Sequence, residues 1–137
     1  MKKTNIEGEE MGNKILCVDD EPMILEIYES AFKEKGYTVF TAPAGKEALE
    51  ILKKENIQVM FLDLKMPVMD GLELCRRIRE DHPIACIYAV TGYGSLFELS
   101  DCREAGFDDY FTKPVKLEAL YKIAEDAFEK IKRWKKR

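Results

Sequence analysis

Five short apolar runs, set between stretches whose apolar residues recur every three or four positions, constrain this chain more than any other feature. Ile15-Leu16-Cys17-Val18 is brief, apolar and followed by acids, which reads as a buried strand. Pro22 then suits a first helical position, where a missing N–H costs nothing. Ile24, Ile27, Tyr28, Ala31 and Phe32 follow at helical spacing, and Gly36 closes the stretch as a helix cap.

The pattern then repeats. Tyr37 to Thr41 reads as a second strand and Glu47 to Lys54 as a second helix, with Ala48, Leu49, Ile51 and Leu52 inward or at its margin. Val59-Met60-Phe61-Leu62 is apolar on both faces, as expected at the centre of a parallel sheet. Asp70-Gly71 opens a third helix carrying Leu72, Cys75 and Ile78, which ends before Pro83. Ala85 to Val90 is a fourth strand, and Ser95 to Ala105 a weaker helix with Leu96, Leu99 and Cys102 at i, i+3 and i+6. Gly106 ends that helix, Tyr110-Phe111 marks a short fifth strand, and a last helix runs from about Lys116. Its stripe is Leu117, Leu120, Tyr121, Ala124, Ala127, Phe128 and Ile131. Strict strand–helix alternation with short connections predicts an α/β fold, a parallel sheet covered by helices on both faces.

At 137 residues the chain supports one core, expected over roughly 13–131, with a tail at 1–12 and a basic helix end at 132–137. The net charge of −4 argues against nucleic acid as a partner of the whole domain. No apolar run reaches the ~20 residues of a membrane span, and the first residues lack the apolar segment of a signal peptide, so a cytoplasmic address is expected. Cys17, Cys75, Cys86 and Cys102 are scattered and His82 is the one histidine, which predicts four reduced core thiols and no zinc site. Nothing near Cys17 or Cys86 would lower a thiol pKa, and His82 reads as a surface residue at a helix end.

In an open α/β sheet, sites form at the carboxyl ends of the strands. Those ends carry Asp19-Asp20, Asp63, Thr91 and Lys113-Pro114, far apart in sequence and expected on one rim. Each alone has an ordinary turn or cap reading; their conjunction does not. Crowded carboxylates repel, so one stays protonated or a cation joins them. Oxygen ligands favour a hard ion such as Mg²⁺. Lys113 adds positive charge and Thr91 a hydroxyl donor, which together make an electrostatic clamp for a phosphoryl group with a carboxylate nucleophile. Glu21 reads equally as part of the ion's outer shell or as stabilising the helix N-terminus.

The segments ILCVDDEP, FLDLKMPVMDGLEL, AVTGYG and DDYFTKP resemble the (CheY-like) receiver domain of bacterial two-component response regulators, across almost the whole chain. D-x-x-M-P-x-M-D-G is the most specific of them; Tyr110 three before Lys113 also fits. The resemblance implies a flavodoxin-like strand order 2-1-3-4-5, an order for which a protein of this family is itself a standard example. It implies that Asp63 is the phosphoacceptor and that Asp20 binds Mg²⁺ (or Mn²⁺) directly, Asp19 through water, and the backbone carbonyl of Lys65 as a further ligand. Lys113, joined to Pro114 by a cis bond, would contact the phosphoryl group. Thr91 would move toward the phosphoryl oxygens and Tyr110 turn inward behind it. The donor implied is a phosphohistidine on a sensor histidine kinase or phosphotransfer protein. The surface switched would be the fourth helix, fifth strand and fifth helix, which would control a downstream protein or form a homodimer. Such a chain is a phosphoacceptor, not an enzyme, and no output domain is expected within it. Lys65 and Tyr93, two past Asp63 and Thr91, offer no carboxylate or carboxamide to orient water, which predicts slow self-dephosphorylation.

Two other readings fit less well. A phosphohydrolase of the haloacid-dehalogenase type wants a second Asp where Lys65 stands, and a flavodoxin-like electron carrier wants a Ser/Thr/Gly phosphate loop where Asp-Asp-Glu-Pro follows the first strand. The terminal KIKRWKKR, six basic residues in eight, is open between a solvated helix end, a linker and a patch for an acidic partner or nucleic acid. Trp134 extends the apolar stripe into it.

Overall fold

Alternating side chains along each strand bury on opposite faces, and this builds two cores around one sheet. The computed structural model describes residues 13–92 and 99–135. In chain order the elements are β1 (Lys14–Val18), α1 (Pro22–Glu34), β2 (Thr38–Ala42), α2 (Gly45–Lys54), β3 (Val59–Leu62), α3 (Gly71–Asp81), β4 (Cys86–Thr91), α4 (Leu99–Ala105), β5 (Asp109–Thr112) and α5 (Leu117–Lys135). The sheet is parallel, in the order β2-β1-β3-β4-β5. This is the flavodoxin-like order that the family resemblance implied.

Leu16, Val18, Met60, Leu62, Ile87 and Ala89 face α2, α3 and α4, where Leu52, Leu74, Cys75, Ile78 and Cys102 meet them. Ile15, Cys17, Val59, Phe61, Tyr88 and Val90 face α1 and α5, against Leu25, Phe32, Leu120, Ala124 and Ala127. Phe32 is fully buried on this second face, its ring 5.4 Å from Phe61 and edge-on to Tyr37 and Tyr121. With right-handed crossovers, the opposite directions of the β1-to-β2 move and the later moves put α1 on one face and α2, α3 and α4 on the other, and α5 packs beside α1 after the last strand. The chain reverses direction between β1 and β3, and that switch point is where a crevice opens.

Several inward assignments differ from the sequence expectation. In α1, Leu25 is buried with Tyr28, Ala31 and Phe32, whereas Ile27 is 48% exposed. Leu25 shares a face with Tyr28 and Phe32, three and seven residues on, while Ile27 lies on the neighbouring stripe with Ile24, and the first of these two faces packs on the sheet. In α3, Leu74 joins Cys75 and Ile78 while Leu72 is only half-buried. In α4, Leu99 is 57% exposed and burial falls to Cys102 and Ala105. The expected start of that helix at Ser95 and its Leu96 lie outside the described residues. In α5, Leu117 and Trp134 are exposed, and Leu120, Ala124, Ala127 and Ile131 carry the packing. All four cysteines are free and buried, and burial raises each thiol pKa, Cys75 to about 12, so they are poor nucleophiles. No described helix is long and apolar enough to cross a membrane.

Among the described residues, one non-glycine backbone position is strained. Val68, between β3 and α3, has φ +70° with its side chain wholly in solvent. A β-branched residue there is a steric outlier with no packing to offset it. Val68→Gly is therefore expected to raise stability by about 1 kcal/mol, the relief of strain outweighing the greater freedom of the unfolded chain. Thermal unfolding checks this: a midpoint higher by a few degrees is expected, and an unchanged or lower one contradicts it.

Candidate phosphoryl and metal site

The ladder between neighbouring strands continues past their ends and fixes the rim. Asp63 N–H donates to Val18 O at 2.9 Å, Asp19 N–H to Ala42 O at 3.2 Å, and Lys113 N–H to Thr91 O at 2.8 Å. Asp19 and Asp63 thereby stand side by side beyond β1 and β3, and Lys113 is tied to Thr91 beyond β5 and β4. Asp19, Asp63 and Thr91 are all buried, whereas Asp20 is exposed. One carboxylate oxygen from each of Asp19, Asp20 and Asp63 lies within 4.8 Å of the others.

Among the described residues, the ammonium of Lys113 serves this cluster. Lys113 Nζ donates to Asp19 Oδ2 at 2.7 Å and lies 3.6 Å from Asp63 Oδ2 and 3.9 Å from Glu21 Oε1. Burial alone would lower the Lys113 pKa, but the hydrogen bond to Asp19 and the charges of Asp19, Asp63 and Glu21 outweigh it and hold it above the usual lysine value. Asp19 Oδ1 also accepts from Glu21 N–H at 2.9 Å, an Asx turn that starts the chain into α1.

Asp63 is the group left unsettled. Burial raises its pKa first, Asp19 and Asp20 add repulsion, and Lys113 and a hydrogen bond from the Lys65 backbone only partly oppose them. The result is a carboxyl pushed up to about 6. Its Oδ1 is buried and accepts no hydrogen bond. An unsatisfied carboxylate oxygen beside two further carboxylates is a set of donors that fits a hard divalent cation, which would remove the repulsion and fill the empty acceptor.

The β3–α3 segment is held close by Gly71. It is buried, its N–H donates to Leu64 O at 2.9 Å, and an added Cβ would lie 2.3 Å from Asp63 O. Asp70 Oδ1 caps α3 by accepting from Glu73 N–H at 2.9 Å. The D-G pair in the sequence motif thus combines a cap with a close backbone approach, and the second function was not evident from spacing.

The expected residues Asp19, Asp20, Asp63 and Lys113 come together, with Thr91 adjoining. Lys65 exposes its side chain and touches the site through its backbone. Tyr110 is half-buried at the margin of the core under α2–α4. The Lys113–Pro114 bond is cis. Tyr93 lies outside the described residues. Arg79, at the opposite end of the sheet, makes a hydrogen-bond cluster that no sequence pattern announced.

The family model described as the response regulator receiver domain matches residues 15–125. Sporulation initiation phosphotransferase F of Bacillus subtilis strain 168 is 34% identical over 110 residues, covering 80% of this chain and 89% of that protein. Transcriptional regulatory protein GlrR of Escherichia coli strain K12 is 34% identical over 115 residues, 84% of this chain but 26% of that protein. The chain thus spans about a quarter of that longer relative. A crystal structure of a response regulator receiver domain protein from Clostridium thermocellum superposes with a TM-score of 0.82 at 30% identity, covering 88% of this chain and 98% of that one.

Proposed function

The chain belongs to the response regulator receiver-domain family of two-component systems, and on that basis we propose that Asp63 accepts a phosphoryl group from a phosphohistidine of a sensor histidine kinase or phosphotransfer protein. The observation that carries this reading is the buried, unsatisfied Oδ1 of Asp63 among two other carboxylates and one lysine.

In the reaction an Asp63 carboxylate oxygen attacks phosphorus in line with the breaking bond. The P–N bond to the donor histidine breaks, its electron pair stays on the imidazole nitrogen, and a mixed anhydride forms on Asp63. Asp19, Asp20, Asp63 and the carbonyl of Lys65 would hold Mg²⁺ (or Mn²⁺), which when bound supplies positive charge against crowded carboxylates and phosphoryl oxygens. Lys113, 3.6 Å from Asp63 Oδ2 and paired with Asp19, is placed to meet one phosphoryl oxygen without changing partners entirely. Thr91 supplies a hydroxyl donor on the neighbouring strand. The product carries more charge and three strong acceptor oxygens, which draw on Thr91 and Lys113 together and bias Tyr110 and the α4–β5–α5 surface. That surface would meet a downstream protein target or a second copy in a homodimer. Residues 13–131 form the signalling unit in this reading, and the basic residues from Lys132 to Lys135 close α5 beyond it. Phosphate turnover is stoichiometric, and the protein works in the cytoplasm.

Incubation with acetyl phosphate tests the proposal. One phosphoryl group per chain is expected with Mg²⁺, almost none after chelation, and a rate at least tenfold lower for Asp20→Asn. Equal labelling with and without the cation would defeat it. Because the Lys65 side chain brings no carboxylate or carboxamide to the rim, the phosphorylated form is expected to last minutes or longer. A lifetime of seconds, unchanged in Lys65→Ala and Tyr93→Ala, would defeat that part.

A further inference from the structure

The guanidinium of Arg79, in the last turn of α3, gathers the amino-terminal edge of the sheet. Nε donates to Gly106 O at 2.8 Å. Nη1 donates to Ala85 O at 2.7 Å, Pro83 O at 3.0 Å and His82 O at 3.3 Å. Nη2 pairs with Asp108 Oδ2 at 2.9 Å, and that oxygen also accepts Ile87 N–H at 2.7 Å. One side chain therefore joins the end of α3, the entry to β4, the carbonyl just after α4 and the entry to β5.

The end of α4 is itself closed tightly. Gly106 N–H donates to Arg103 O and Phe107 N–H to Cys102 O, with Gly106 at φ +110°. The Arg79 stem lies against Gly106, where a Cβ would meet it at 2.7 Å. A planar fork with five donors holds several carbonyls at once, which an ammonium on a flexible stem does not. Carbonyls at a helix end and a carboxylate are also where a cation is best placed.

We infer that Arg79 is a positioning residue that pins the carboxyl-terminal end of α4, so that a rearrangement begun at the phosphoryl rim swings α4 about Gly106 instead of sliding it. The inference rests on the Asp63 reading, because it names how the switched surface responds. A pinned end converts a small displacement at Thr91 and Lys113 into a change of helix direction, which alters the Leu99 side of α4 far more than the Gly106 side.

Amide exchange and amide chemical shifts, read with and without beryllofluoride and Mg²⁺, test this in the full chain. In the wild type the amides near Leu99 are expected to respond to the analogue, with those of Gly106 and Phe107 nearly constant. In Arg79→Met both ends are expected to respond, and resting exchange at Gly106–Asp108 to rise at least tenfold with β1 and β3 amides unchanged. Arg79→Lys, which keeps the charge beside Asp108 but not the fork, should fall between them. Equal responses at Leu99 and Gly106 in the wild type, or an Arg79→Met response identical to the wild type, would overturn the pivot while leaving Asp63 as the analogue's site. No response anywhere in the wild type would overturn the Asp63 reading and the pivot with it.

Discussion

Asp63→Asn is expected to stabilise the cation-free protein by about 2 kcal/mol at neutral pH while removing the proposed phosphoacceptor. The folded state raises this carboxyl from 3.8 to about 6, through burial first and then the charge of Asp19. Between those values the folded chain holds a proton that the unfolded chain has lost. The contribution of Asp63 to stability is then greatest below about pH 4 and is lost as pH rises through about 6. The gap corresponds to ~3 kcal/mol, part of which returns when the attraction to Lys113 is also lost in the variant. Denaturant unfolding of wild type and variant, with chelator, from pH 4 to 8 gives the measurement. The wild-type decline should be missing from the variant and should shrink at saturating Mg²⁺, because an ion that binds the folded state stabilises it by mass action. Parallel pH profiles would contradict the electrostatic account. The expected trade, a more stable protein with no phosphoryl acceptance, is what a site built from mutual repulsion produces.

Gly71→Ala is expected to destabilise by about 3 kcal/mol, a large effect for one methyl group. Helix propensity alone has the opposite sign, favouring Ala inside a helix by ~1 kcal/mol. The added Cβ would stand 2.3 Å from Asp63 O and 2.8 Å from the Leu64 Cα. Both are backbone atoms of the segment that carries Asp63, so no side chain can rotate away. Relief requires α3 to withdraw from β3, stretching the bond from Gly71 N–H to Leu64 O. Phosphorylation by acetyl phosphate should therefore fall at least tenfold alongside the lost stability. Urea unfolding decides between the two signs: a variant as stable as the wild type would show that the close approach has slack.

The sheet and the acidic rim were legible because both depend on patterns of side-chain polarity along the chain. Apolar runs such as Val59–Leu62 end where the chain leaves the core, so the polar residues that follow them fall on one edge. Strand limits shifted by a residue or so, as at Thr38–Ala42, since the ladder and not polarity sets the last paired residue. Inward faces were harder. Leu25 and Ile27 are equally apolar, and only the packing of α1 against Cys17 and Phe61 separates them. Arg79 was illegible for a different reason: most of its acceptors are backbone carbonyls, which every residue possesses. Gly71 stood in a recognised motif, but the lack of room for a Cβ against the Asp63 carbonyl is a fact of three-dimensional geometry.

The most direct measurement is the mass and position of phosphate after treatment with acetyl phosphate and Mg²⁺. A single hydroxylamine-labile phosphoryl group on the peptide containing Asp63, and none on Asp63→Asn, is the expected result. An unmodified wild type, or equal modification of Asp63→Asn, would contradict the account.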